Sequence, residues 1–71
     1  MNKINPKKLL NSKWTAVKPN NKEKHFIMSE VKFDEDGIVI SCFIEAVMTK
    51  RVIPINWQEL EDPNHWIHGW K

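Results

Sequence analysis

An unbroken alternation of apolar residues directly after a tight-turn signal is the feature that most constrains this chain. The signal is Asp36-Gly37, because glycine tolerates the positive φ that a two-residue hairpin turn requires. After it, every even position up to 48 is apolar: Ile38, Ile40, Cys42, Ile44, Ala46 and Met48. An alternation with a period of two indicates a strand with one buried face. The sequence therefore predicts a β-hairpin with this apolar row pointing into the core.

The register of the hairpin follows from the strand before the turn. Three odd positions there are apolar: Ile27, Val31 and Phe33. Residues that pair across a ladder point to the same face, so odd positions must pair with even ones. A two-residue turn at Asp36-Gly37 satisfies this, placing Val31 opposite Cys42 and Phe33 opposite Ile40. A three-residue loop ending in Gly37 would move one apolar row into water, so we predict the two-residue turn.

Shorter elements surround the hairpin. The segments "SKWTAV" (12–17), "RVIPI" (51–55) and "HWIHGW" (65–70) read as further strands. "PKKLL" (6–10) reads as a short helix or turn that begins at proline, and "NWQEL" predicts one helical turn near residues 57–61, with Asn56 as N-cap and Glu59 completing a capping box. The predicted fold is mainly β, a small five-stranded antiparallel SH3-like or Sm-like barrel or bent sheet.

The second face of the hairpin is predicted to be partly apolar as well. Besides polar residues, it carries Phe26, Met28, Phe43 and Val47. One interpretation is that tryptophans or the chain ends cover this face. The other is an exposed apolar patch that binds a partner or a second copy of the chain.

Composition places the chain among small soluble domains. With 71 residues it is expected to form a single domain, 1–71, close to the lower size limit for folding on one core. Its single cysteine excludes an internal disulfide, and no apolar run or leader-like start is present, which favours a cytoplasmic location and no membrane association. Residues 1–32 carry eight lysines and two acids (+6), whereas residues 33–71 carry three cations and seven acids (−4).

Several motifs together resemble a known family. "INPKKLLNSKWTAVKPNNKEKHF", "EAVMTKR", "NWQEL" and the terminal "W..GW" look like the tryptophan-rich family of small conserved bacterial proteins, over essentially the whole chain. This resemblance implies a small bacterial, cytosolic protein of unknown biochemical function, so it assigns no site residues.

Four tryptophans are the most unusual side chains. Trp14 and Trp57 are expected to pack in the core. Trp66 and Trp70, with His68 between them, would share one face if the tail is extended, where they could either pack onto the sheet or stack nucleobases. Cys42 is expected to point inward as a small apolar residue, and the three histidines lack the paired spacing of a zinc site. We therefore predict no metal, no cofactor, no catalytic residues and no enzymatic activity.

Two functions from different classes remain. The first is a protein- or peptide-interaction module, and its candidate binding residues are Phe26, Met28, Phe43, Trp66 and Trp70. The alternative is binding of single-stranded nucleic acid (RNA), with the candidate contacts Lys13, Lys18, Lys22, Lys24 and Arg51. The chain is expected to be a monomer or a weak homodimer that pairs through a free strand edge.

Overall fold

The protein forms one open, antiparallel five-stranded sheet. In the computed structural model, which describes residues 2–20 and 22–71, the strands are β1 (Lys13–Asn20), β2 (Glu23–Phe33), β3 (Val39–Ala46), β4 (Val52–Pro54) and β5 (Trp66–His68). Their order across the sheet is β4-β3-β2-β1-β5. The long β2–β3 hairpin is central, and the two shortest strands form the edges. The mainly β prediction with five strands is confirmed.

The loop of the central hairpin is longer than predicted. Asp34 bonds to the carbonyl of Ile38 through its backbone N–H, so the loop contains three residues and ends in Gly37 at φ 80°. The Asp34 carboxylate accepts the backbone N–H groups of Asp36 and Ile38, both at 2.9 Å. The two-residue turn was therefore wrong, because an aspartate that bonds to the following backbone stabilises the wider turn.

Two β-bulges then rearrange the pairing along the hairpin. The register shifts between Lys32 and Phe33 and again between Met28 and Glu30. Between the bulges Val31 pairs with Cys42, as predicted, whereas Phe33 pairs with Val39 rather than Ile40. Each bulge adds one residue to one strand and so exchanges the faces of the residues beyond it.

The bulges explain why the predicted core rows are only partly correct. Beyond Ser29, the even residues Phe26 and Met28 face the core, opposite Ala46 and Ile44. At the other end, three residues of the predicted interior are instead largely exposed: Phe33 (44%), Ile38 (61%) and Ile40 (63%).

The core lies on one face of the sheet and is closed by Leu9, the C-cap of a first short helix, and by Leu60 of a second. Its buried apolar residues are Leu9, Trp14, Phe26, Met28, Cys42, Ile44, Ala46 and Leu60. The predicted inward orientation of Trp14 and Cys42 is confirmed, and Trp57 and Trp66 pack against this cluster as partly buried residues. Leu60 belongs to a 3₁₀ helix, Trp57–Glu61, with the predicted capping box of Asn56 and Glu59.

The first 3₁₀ helix, Pro6–Lys8, confirms the predicted N-terminal helix or turn. The N-terminal segment is fixed to the opposite end of the chain, since the Asn2 side-chain amide donates to the carbonyls of Leu60 (2.8 Å) and Trp66 (2.7 Å). In the loop between β3 and β4, Lys50 adopts the left-handed region, at φ 64°.

The sheet does not close into a barrel. Among the described strands, β4 pairs only with β3 and β5 pairs only with β1, so neither has a second neighbouring strand. On β5, the Trp66 N–H and carbonyl are nevertheless bonded to Asp62 and Asn2. The expectation of an SH3-like or Sm-like closed barrel is therefore not met, and the sheet is open. None of the described helices has the length and hydropathy of a membrane-spanning segment.

Candidate functional site

A cleft of about 420 Å³ lies on the core face of the sheet and is lined by residues of both edge strands. Ile53 of β4 lines it on one side and Trp66 of β5 on the other. Its floor is Phe26, whose ring meets the Trp66 ring edge to face at 5.3 Å between centroids. The cleft thus has an apolar aromatic floor of the kind that anchors a ligand side chain.

Charged side chains of opposite sign line the cleft. The two cations are Lys18 and Arg51, near strand ends. The three acids are Glu23, Glu59 of the second 3₁₀ helix and Asp62, the C-cap of that helix. The Asp62 carboxylate accepts hydrogen bonds from the backbone N–H of Asn64 and from His65, which hold the pKa of this carboxyl below its usual range. The site therefore offers cations and anions to the same ligand.

One ionised network forms the wall at the turn end of the cleft. The Glu23 side chain is only 3% exposed, and its two oxygens accept hydrogen bonds from Arg51 Nη2 (2.5 Å) and Arg51 Nε (3.1 Å). Thr49 Oγ1 donates to the same carboxylate at 2.5 Å. The bonds from Arg51, and then the bond from Thr49, lower the Glu23 pKa from 4.5 to about 2. This network joins the β1–β2 turn to the β3–β4 turn.

The candidate residues for partner binding separate into two groups. Phe26 and Met28 lie in the core, so placing them on the hairpin's second face was wrong; the bulge at Ser29 turned them inward. Phe43, by contrast, is partly buried and lies on the face opposite the core, since it neighbours the buried Cys42 and Ile44 on β3.

The two terminal tryptophans do not share a face. Trp66 lines the cleft, and His68 stacks near Trp14 with 4.7 Å between ring centroids. Gly69 then adopts φ 86° and breaks the strand. Trp70 donates its Nε1–H to the Phe26 carbonyl at 3.0 Å, and its ring lies near Lys13 Nζ (4.9 Å) and His25. The expected continuous aromatic face is therefore absent from the described tail.

The candidate nucleic-acid contacts converge more than the aromatic residues do. In an antiparallel meander, the β1–β2 and β3–β4 turns lie at the same end of the sheet. Four of the five candidates therefore lie at this end, namely Lys18, Lys22, Lys24 and Arg51. Lys50, which was not a candidate, lies there as well. Lys13 lies apart, at the start of β1 beside Trp70.

Cys42 is buried in the core. Burial raises the pKa of the Cys42 thiol. The thiol donates a hydrogen bond to the Ile55 carbonyl oxygen, which lies 3.0 Å from the sulfur. Within residues 2–20 and 22–71, no group of three or more His, Cys, Asp or Glu side chains could hold a metal ion.

Sequence reasoning missed several cleft residues, Ala16, Ile53, Glu59 and Asp62 among them. Ile53 was assigned to a short strand and Glu59 to a helix cap, and neither pattern signals a ligand site. They meet only because β4, β5 and the second 3₁₀ helix converge, and pairing of the distant strands β1 and β5 is not visible in local alternation.

Comparison with known proteins assigns the chain to a family. No curated protein and no solved structure matches this chain. A family model described as Tryptophan-rich protein (DUF2389) matches residues 12–71, which contain all four tryptophans. The chain therefore belongs to this tryptophan-rich protein family.

Proposed function

We propose that the protein is a peptide-interaction module and that its ligand is an extended segment of another protein bound in the cleft between β4 and β5. The cleft between the two edge strands carries this proposal. A sheet with an unpaired edge can accept an added strand, whose alternate side chains then reach pockets beside it. Here β4 has no described strand on its outer side, and the aromatic floor of Phe26 and Trp66 lies beside its Ile53.

The charges of the cleft define the chemistry of the peptide. An apolar side chain would pack on Phe26 and Trp66. An acidic neighbour would face Lys18 and the half-exposed Arg51, and a basic neighbour would face Glu59 and Asp62. The cleft volume of about 420 Å³ fits one or two side chains, near the lower end of the roughly 300–1,000 Å³ found for ligand pockets.

Filling the cleft tests this function. Ala16 lines the cleft and is partly buried, so Ala16→Leu adds apolar volume there without removing core atoms. Peptides selected from a random linear display library against the wild-type domain are expected to bind the variant at least about tenfold more weakly, the cost of roughly 1.4 kcal/mol. The affinities are measured by isothermal titration calorimetry.

The matched control is Val17→Leu, since Val17 is the next residue of the same strand and points to the opposite face. It should leave peptide affinity unchanged. Failure to select any peptide with the apolar and charged pattern, or equal binding by Ala16→Leu, would count against the cleft as the site.

A second candidate function is supported by the basic end of the sheet. Lys18, Lys22, Lys24, Lys50 and Arg51 lie at this end, and within residues 2–20 and 22–71 Arg51 is the one of them that forms an ion pair, with Glu23. Such an arrangement could track the phosphates of single-stranded RNA, although the tryptophans most suited to stacking lie elsewhere.

Salt dependence tests the nucleic-acid function. If four cations contact phosphates, log K for a labelled single-stranded oligonucleotide should fall with log salt at a slope of about −3, from roughly −0.7 per contact. Fluorescence anisotropy at several salt concentrations measures this slope. The double variant Lys22→Glu with Lys24→Glu should bind more weakly and show a less steep slope. Undetectable binding at low salt, or a slope near zero, would remove this candidate.

The proposal also includes a binding rather than catalytic role and a bacterial, cytoplasmic location. Burial of Cys42 and the raised pKa of its thiol argue against this residue as a nucleophile. The family resemblance and the composition support the location.

A further inference from the structure

The β2–β3 hairpin projects beyond the rest of the sheet as a two-stranded arm, Ser29–Ser41. β2 pairs with β1 only as far as Ile27, and the next residue, Met28, is bonded to Ser12. From Ser29 onwards this side of β2 has no neighbouring strand in the described part of the chain. Pairing of β3 with β4 stops at Phe43, apart from one bond from the Ile55 N–H to the Cys42 carbonyl. No described strand pairs with the outer side of either arm strand. Two backbone edges are thus left open.

The arm also exposes apolar surface next to its edges. Phe33, Ile38 and Ile40 lie near the tip and are among the most exposed large apolar residues of the described chain. Free backbone groups next to exposed apolar side chains are the combination that recruits another strand.

The charges of the arm indicate which of its two edges pairs with another strand and what charge that partner carries. The arm carries Lys32 and four acids, Glu30, Asp34, Glu35 and Asp36, for a net charge of −3. At the base of the β2 edge lies the Leu9–Ser12 segment, whose Asn11 and Ser12 bond to the backbone of Met28. It is flanked by Lys7, Lys8 and Lys13, and residues 2–13 contain no acid. At the base of the β3 edge lies the second 3₁₀ helix, which contains Glu59 and Glu61. An acidic tip is therefore complementary to the β2 side and repelled by the β3 side.

We propose that two copies of this chain form a symmetric dimer by pairing their β2 arm edges antiparallel, so that the acidic tip of each copy lies against the N-terminal lysines of the other. With the twofold axis at Val31, Glu30 of each copy lies opposite Lys32 of its partner, which is a favourable cross-strand pair. Each tip then reaches the partner's Leu9–Ser12 segment, which follows the first 3₁₀ helix and its Lys7 and Lys8.

This contact is isologous, so it closes at two copies and does not extend into a filament. The interface is small, since each copy contributes about five residues of strand, the exposed tip and one short N-terminal segment. Dimerisation is consequently expected only at high protein concentration, and it should weaken as salt screens the tip charges.

Charge reversal at each end of the contact tests the dimer. The tip variant is Glu35→Lys with Asp36→Lys, which spares the turn-forming carboxylate of Asp34. The N-terminal variant is Lys7→Glu with Lys8→Glu. Sedimentation velocity across a dilution series should show a monomer–dimer equilibrium for the wild type. Each variant should raise its dissociation constant about tenfold, since several surface pairs change sign at once.

Mixing the two variants provides the sharpest result. The positive tip of one then faces the negative N-terminal segment of the other, and the remaining pair keeps its native signs, so a heterodimer should form at wild-type strength. Lys22→Glu with Lys24→Glu is the control matched to the N-terminal variant, because it also replaces two lysines by glutamates but at the opposite end of the sheet. It should leave dimerisation intact. Thermal melts establish that all variants are folded.

Two outcomes would overturn the inference. One is a wild-type chain that stays monomeric into the millimolar range. The other is a dimer that is indifferent to both reversals, or whose variants do not complement each other, since either would place the contact on another surface. Neither outcome bears on the cleft, which lies at the opposite end of the sheet from the arm tip.

Discussion

Replacing Trp14 with alanine is expected to abolish the folded state or to lower Tm by more than about 12 °C. Trp14 is 1% exposed and is the largest fully buried side chain of the described chain. Removing a buried tryptophan costs about 3–5 kcal/mol, whereas a domain of 71 residues has a total stability of roughly 4–11 kcal/mol. Each kcal/mol corresponds to about 4–8 °C in a domain of this size. Circular dichroism melts measure the change.

Trp14 stabilises the fold through a hydrogen bond as well as through its core contacts. Its Nε1–H donates to Ser12 Oγ at 2.8 Å, and Ser12 Oγ donates to the Leu9 carbonyl at 2.6 Å. The ring therefore packs in the core and also orients the turn that leads into β1. Trp14→Phe should recover part of the lost stability, because it restores apolar volume without the hydrogen bond.

Trp70→Ala is the control for this prediction. Trp70 is 44% exposed and lies on the other face of the sheet, so its removal should lower Tm by only a few degrees. If Trp14→Ala melted within a few degrees of the wild type, the assigned core would be wrong.

Replacing Glu23 with glutamine is expected to lower Tm by several degrees at pH 7 and to have little effect near pH 2. At neutral pH the variant replaces the buried carboxylate of Glu23 by a neutral amide and so removes the ionised partner of Arg51. Glu23 has a folded-state pKa of about 2, below its ordinary value of 4.5. Its contribution is therefore fully present above about pH 4.5 and is lost as the pH falls towards 2.

Thermal melts of wild type and Glu23→Gln between pH 7 and pH 2 test this linkage. The two curves should converge as the wild-type carboxylate becomes protonated. Glu35→Gln, at the exposed hairpin tip, should follow the wild type throughout. A constant difference between Glu23→Gln and the wild type at every pH would show that the ionised network does not stabilise the fold.

The elements of this fold could be predicted from local patterns, but their alignment could not. Alternation located the central hairpin, and the Asn56 and Glu59 pair located the second 3₁₀ helix. The alternation rule fails where a strand gains a residue, and neither Ser29 nor Ile40 carries a sequence signal that distinguishes a bulge from regular pairing. One undetected bulge was enough to place Phe26 and Met28 on the wrong face.

The candidate site was less accessible to sequence reasoning than the fold. Trp66 was chosen for its size, and Lys18 and Arg51 for their charge, and all three line the cleft. Their convergence depends on β5 pairing with β1, a contact between opposite ends of the chain that no local period encodes. The exposed tip residues Phe33 and Ile38 were assigned to the interior because apolar residues usually are.

The placement of β1 between β2 and β5 has a consequence for synthesis on the ribosome. β1 emerges early, yet its second neighbour, Trp66–His68, is among the last residues of this sequence to be translated. The Thr15 hydroxyl likewise waits for its acceptor, the Gly69 carbonyl, and the Asn2 amide waits for the carbonyls of Leu60 and Trp66. A nascent chain that ends before β5 therefore holds an N-terminal strand with one open side, and cotranslational folding cannot finish until that strand has been released.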